Sequence, residues 1–317
     1  MTYAEAVLAA LEDAMRADPR VHLIGRPFSL GPTRALAAKL KQDFPDRVFE
    51  PPTSEPANAA LGAGAAMAGM RPFVDLGTGA FSFLAFSGIV NEAAVSRYMS
   101  GGQLGAPVVY HVSDGVRGSG APQHSHNLHG FLWGTPGLQV ILPATPGDAY
   151  GLVRGALDSA NPTFLVSHFK LPNSKGPVER GVALPIGKAH VARVGRDVTV
   201  VALSLMVQRA LEAANQLAAE GIEVEVVDPR TLTPLDEEAI LASVRKTGRL
   251  VVVDETPLHG GVSSGIAGMV ADRGFSLLVA PIRRLGRENT PVPASLVMEE
   301  FLVPTATKII DAIKSII

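Results

Sequence analysis

Residues 51–76 read PPTSEPANAALGAGAAMAGMRPFVDL. Two prolines close an extended segment, Thr53, Ser54 and Glu55 follow, and Pro56 stands where a helix accepts proline, in its first turn. From Pro56 to about Gly69 the residues are helix-compatible and almost without bulk, so a neighbouring backbone must approach closely; tight helix packing at an interface accounts for this. Arg71 to Leu76 returns to the apolar run of a buried strand. A strand, a helix and a strand in so short a span is the unit of a parallel sheet.

The same alternation extends outward in both directions. Tyr3, Val7, Leu8, Leu11 and Met15 recur at helical spacing, Val21 to Gly25 reads as a strand, a helix is expected near Thr33 to Phe44 and a strand near Arg47 to Glu50. Strands follow at Pro107 to Val112, Leu138 to Leu142 and Thr163 to Val166. Between Leu171 and Pro185 the composition turns to Pro, Asn, Ser, Lys and Gly, as in a solvated connection. Beyond it come strand 197–202, helix 206–220, strand 223–227, helix 237–244 and strand 249–254. The expectation is two α/β domains, each a parallel sheet with helices on both faces: 1–175, a linker at 176–188, and a smaller domain at 189–317.

Composition narrows the function. Hydrophobic residues are 47% and charged residues 18% of 317, with 32 Gly and 24 Pro, which favours an oligomer with covered surface. A net charge of −2 offers no footprint for nucleic acid. The absence of cysteine excludes disulfides, thiol catalysis and zinc–thiolate sites. The N-terminus lacks the basic start and apolar run of a secretory signal, and no run of about 18 residues reads as lipid-facing, so a cytoplasmic protein that is not in a membrane is expected. Leu76 to Asn91 and Gly118 to Gly147 contain no Asp, Glu, Lys or Arg, and both are expected to be enclosed.

Three groups of residues can carry chemistry. Glu55, between a strand end and a helix start, is either a first-turn carboxylate favoured by the helix dipole or a carboxylate at the edge where open α/β sheets hold ligands. Gly62 and Gly64 lie inside the helix, which removes a phosphate-binding reading. The cluster Gln123-His124-Ser125-His126-Asn127-Leu128-His129 admits a metal site, an acid–base site or hydrogen-bonded core histidines. No nearby Asp, Glu or Cys completes a metal set, and Ser125 is not set in Gly-x-Ser-x-Gly.

Over essentially its whole length the chain resembles the β subunits of pyruvate, branched-chain 2-oxo acid and acetoin dehydrogenases, in the transketolase-like group. The resemblance rests on Thr53-Ser54-Glu55, residues 64–72, Tyr98-Met99-Ser100-Gly101-Gly102 and Gln123-His124-Ser125. In the second half it rests on residues 185–188, 230–236, 246–249 and Thr290-Pro291-Val292-Pro293. It implies two doubly wound domains, a pyrimidine-binding transketolase-like domain and a transketolase C-terminal domain. It also implies thiamine diphosphate as cofactor, with Glu55 at its aminopyrimidine ring and Phe81 against that ring. A carboxylate there favours the imino tautomer, whose exocyclic nitrogen takes the thiazolium proton. His124 matches the family's active-site histidine for substrate or acyl transfer.

The Gly-Asp-Gly motif that holds the diphosphate through a metal, usually Mg, is missing; Asp114-Gly115 and Gly147-Asp148 lack the rest of it. The resemblance therefore implies an α subunit in an α2β2 heterotetramer, a small 2-oxo acid substrate and a lipoyl acyltransferase core as partner. A potassium ion on the backbone oxygens of Val108, Ala156, Leu157 and Asn161 is also implied, although a member acidic in relatives is Ser159 here. Relatives carry Asp-Gln at Ser87-Gly88, Gln at His126, an acidic or small residue at His129 and a histidine at Gly134, so a different acyl group or acceptor is expected. The competing readings are a split transketolase-like enzyme that forms C–C bonds, and an assembly subunit without catalysis.

Overall fold

The computed structural model describes residues 1–28 and 34–317. By contacts the chain divides into one unit of Met1–Asp114 with Gly134–Ile186, and another of Gly115–Trp133 with Gly187–Ile317. The sequence reading ran the first domain unbroken to residue 175; here Gly115–Trp133 belongs to the second unit. The reason is electrostatic. This segment finds its acceptors in the second unit, where Val116 N and Asn127 Nδ2 donate to Glu255 Oε1 at 2.6 and 3.0 Å.

The first unit runs α1 (Tyr3–Ala17), β1 (Val21–Ile24), α2 (Arg34–Asp43), β2 (Val48–Phe49), α3 (Glu55–Met67), β3 (Arg71–Thr78), α4 (Ser96–Met99) and β4 (Val109–Asp114). After the short α5 (His129–Leu132), which sits in the second unit, it continues with β5 (Gln139–Ile141), α6 (Pro146–Asp158) and β6 (Thr163–His168). The expected start of a helix at Thr33 lies outside the described residues. Its six strands lie in the order β5-β6-β4-β3-β1-β2, and every neighbouring pair is parallel. Residue chemistry sets α1: Thr2 Oγ1 accepts from Glu5 N while Glu5 Oε2 accepts from Thr2 N, a reciprocal cap. Tyr3, Val7, Leu8, Leu11 and Met15, the residues spaced as a helical stripe, are all buried.

The small residues of α3 have the expected consequence within the chain itself. A Cβ on Gly62 would stand 2.4 Å from Val74 Cγ2, and one on Gly88 would stand 3.4 Å from Ala60 N. The helix therefore seats directly on β3 and receives the π-helical turn Ser87–Ala93 on another side. By contrast, the charge-free stretch from Leu76 to Asn91 is not enclosed by this chain: Phe81, Phe83 and Leu84 are exposed, as are nearby Tyr98 and Met99. Lack of charge there marks an apolar surface rather than a core.

The second unit comprises β7 (His190–Arg193), β8 (Val198–Ala202), α7 (Leu205–Ala218), β9 (Val224–Asp228), β10 (Thr231–Thr233), α8 (Glu237–Thr247) and β11 (Leu250–Pro257). It closes with α9 (Val262–Arg273), β12 (Arg283–Arg287), α10 (Leu296–Leu302) and α11 (Ala306–Lys314). Its five-stranded sheet has the order β12-β11-β8-β9-β7, with β7 antiparallel on the edge. Both sheets are thus mostly parallel, as the alternation requires. Among the described residues no single helix is long and apolar enough to cross a membrane.

Candidate active site

Parallel strands end on one edge, and there the first unit opens a cleft of about 680 Å³. It is lined by Gly25 after β1, Glu50 after β2, Asp75 to Thr78 at the end of β3, Phe81 beyond it, and Thr53, Ser54, Glu55 and Asn58 at the start of α3. This is the edge at which open α/β sheets place ligands. Glu55 is the first residue of α3, followed by Pro56, and Ser54 makes no side-chain cap. Its carboxylate is half-buried and carries no hydrogen bond or ion pair among the described residues, which leaves both oxygens for a ligand. Glu55 and Phe81, expected at one ring, line one cleft. An acceptor carboxylate with an aromatic face beside it fits an aminopyrimidine, so the residues present suit thiamine diphosphate.

Another carboxylate of the cleft, Asp75, went unrecognised in the sequence. Asp75 Oδ1 lies 2.8 Å from His111 Nδ1, and since a carboxylate only accepts, the imidazole donates there. His111 Nε2 then takes the Ser167 hydroxyl at 3.1 Å, and Ser167 Oγ is 2.9 Å from the Tyr3 hydroxyl. His111 and Asp75 are direct partners across β4 and β3, a register that local sequence does not disclose. The chain of bonds fixes the Asp75 carboxylate at the cleft wall.

His124 ends a 3-10 turn, Pro122–His124, carried by the second unit. That turn is anchored from below. Besides the Glu255 bonds, His129 Nε2 donates to Asp254 Oδ1 at 3.1 Å. Burial alone would raise the Asp254 carboxyl, but His129 and the Thr256 hydroxyl and amide hold it below the usual carboxylate range. Thus His129 is a structural partner of an acidic residue, not a free acid–base group. Burial, and secondly Arg287, push the His126 imidazole below its ordinary value. Asp254 and Glu255, at the end of a strand that was legible, were the available signal that this loop would need acidic partners.

The oxygens expected to hold potassium are engaged within the protein. Val108 O accepts from Thr163 N at 2.8 Å, Ala156 O from Ser159 N at 3.2 Å and Asn161 O from Thr163 Oγ1 at 3.4 Å. Arg71 Nη1 donates to Leu157 O at 2.6 Å and to Ser159 O at 2.8 Å. A guanidinium therefore brings positive charge beside the Leu157 oxygen of this set.

A parallel-sheet unit with a carboxylate at its open edge, followed by a smaller α/β unit, is one half of the transketolase class. The family described as transketolase, pyrimidine binding domain, matches residues 1–173, and transketolase, C-terminal domain, matches 187–309. A split-gene transketolase solved as an inactive β4 tetramer superposes with a TM-score of 0.83 at 24% identity, covering 99% of this chain and 97% of that one, a likeness of fold. Curated relatives narrow the class. The β subunit of acetoin:2,6-dichlorophenolindophenol oxidoreductase from Cupriavidus necator is 39% identical, over 97% of this chain and 94% of the relative. Its counterpart from Bacillus subtilis (strain 168) is 37% identical, over 98% and 95%. The pyruvate dehydrogenase E1 component subunit beta of Rickettsia felis is 36% identical, over 100% and 98%. The chain belongs to this family of E1-type β subunits on the transketolase fold.

Proposed function

We propose that this chain is the β subunit of a thiamine-diphosphate-dependent 2-oxo acid dehydrogenase, active with an α subunit that completes the site. The observation that carries the reading is the cleft at the strand ends, lined both by the Phe81 ring and by the Glu55 carboxylate, which has no hydrogen bond or ion pair among the described residues. Bound there, thiamine diphosphate would supply the electron sink for loss of carbon dioxide from a 2-oxo acid. The chain's own residues would orient the pyrimidine: Glu55 accepts a hydrogen bond from its ring nitrogen, and Phe81 packs on its face. His124 is proposed to act in substrate or acyl transfer, with a lipoyl group on an acyltransferase core as acceptor.

Two features support an α partner, in an α2β2 tetramer whose other chain holds the diphosphate through Mg. The sequence lacks the metal-binding motif, and the surface of Phe83, Leu84, Tyr98 and Met99 is apolar and exposed in this chain alone. The acetoin relatives favour a second substrate within the same chemistry, a hydroxyketone cleaved between its two oxygen-bearing carbons. Co-expression with an α-type partner, followed by assay of a panel of 2-oxo acids and acetoin with an artificial electron acceptor, tests the proposal. Turnover that requires added thiamine diphosphate and Mg is expected. Turnover of sugar phosphates alone would favour a split transketolase, and a stable complex inert to every substrate would favour an assembly role.

A further inference from the structure

We propose that Asp75 is a further ligand-holding carboxylate of the first unit's cleft, taking a hydrogen bond from the exocyclic amino group of the ring bound there; the proposal rests on the reading of that cleft as an aminopyrimidine site. Most polar side chains that line the cleft have nothing behind them to fix their direction. Thr53, Ser54, Glu55, Asn58 and Thr78 make no side-chain hydrogen bond among the described residues, and Arg26 and Glu50, both exposed, pair with each other at 3.2 Å.

Asp75 is held from within the unit. Its side chain is 11% exposed and that of its partner His111 only 1%. Gly25 packs on it so closely that a Cβ there would stand 2.7 Å from Asp75 O and 3.0 Å from Asp75 Cβ. The rings of Phe28 and Phe73 lie beside the His111 imidazole, with centroids 5.0 and 5.6 Å away, and restrain it from turning.

The hydrogen bonds behind Asp75 run in one direction. Burial pushes the Tyr3 phenol up, so it keeps its proton at neutral pH. An ionised carboxylate only accepts, so the neutral imidazole gives its one N–H, at Nδ1, to Asp75 Oδ1 at 2.8 Å. Nε2 is then an acceptor and takes the Ser167 hydroxyl proton at 3.1 Å, which leaves Ser167 Oγ to accept from Tyr3 at 2.9 Å. Every proton of the series points toward the cleft. Asp75 Oδ1 is thereby satisfied, while Oδ2 makes no hydrogen bond or ion pair among the described residues. A preorganised acceptor favours a ligand that brings a donor and repels one that brings a lone pair. An aminopyrimidine brings that donor in its exocyclic amino group; the analogue with oxygen in its place brings a carbonyl.

Titration calorimetry on the complex co-expressed with an α-type partner, with thiamine diphosphate and oxythiamine diphosphate as probes in excess Mg, tests this. Wild type is expected to prefer the amino compound by about 10- to 100-fold. Asp75→Asn keeps the acceptor toward His111 and turns the free oxygen into an amide donor, so the preference should fall by about tenfold or more. General damage to the cleft would weaken both compounds alike and leave their ratio unmoved. If Asp75→Asn fails to fold by circular dichroism, Ser167→Ala, which removes the donor that fixes the His111 tautomer, should lower the same ratio. A wild type without preference, or a ratio unchanged in the folded variant, would overturn the role of Asp75 while leaving the cleft as the cofactor site. A complex that binds neither compound would overturn both.

Discussion

Glu55 and His126 carry opposite lessons about a single side chain. Glu55 stands at a helix start that would favour a carboxylate in any protein, yet among the described residues its oxygens are left unengaged at the cleft. His126 is shaped by its surroundings: with its imidazole pushed below the ordinary value, the folded state binds a proton less readily than the unfolded chain. The stability tied to this residue is therefore present above the ordinary histidine pKa of about 6.5 and is lost as pH falls below it. His126→Gln should flatten the acid limb of a denaturation-midpoint profile in that range, and an unchanged limb would place the sensitivity elsewhere. Glu55, Phe81 and His124 were legible because each sits in a local motif. Asp75, His111 and Arg287 were not, because the first two are joined by strand register and the third lies where no apolar period announces an element.

Among elements, the legible ones were those whose burial is written as a period or an apolar run: α1, α3, α7, β8 and β9. The strands that escaped are β7, a half-exposed antiparallel edge, β10, only three residues long, and β12, whose Arg283-Arg284-Leu285-Gly286-Arg287 reads as a solvated charge run. Glycines separate two kinds of helix contact. In α6 a Cβ on Gly155 would stand 2.2 Å from Leu184 O, a backbone atom that cannot turn aside, whereas Gly64 in α3 meets nothing within 4 Å. Gly155→Ala should destabilise the chain by about 1–3 kcal/mol despite its better helix propensity. Gly64→Ala should stabilise it by about 0.5–1 kcal/mol. Urea denaturation reads both, and equal signs for the two would contradict the packing described.

For the whole molecule, the two α/β architectures followed from alternation alone, while the assignment of Gly115–Trp133 did not, since it depends on acceptors more than a hundred residues away. Glu255→Gln should expose that dependence: amide exchange at Val116 should quicken by about 10- to 100-fold, as expected when a hydrogen bond to a charged acceptor is weakened. Unchanged protection would mean that the segment is held by packing alone. The central claim is that Glu55 orients the cofactor, and its most direct measurement is kcat of the complex co-expressed with an α-type partner, at saturating thiamine diphosphate, for wild type and Glu55→Gln. A fall of about 10²- to 10⁴-fold with the assembly intact is predicted; turnover within a few-fold of wild type would contradict the account.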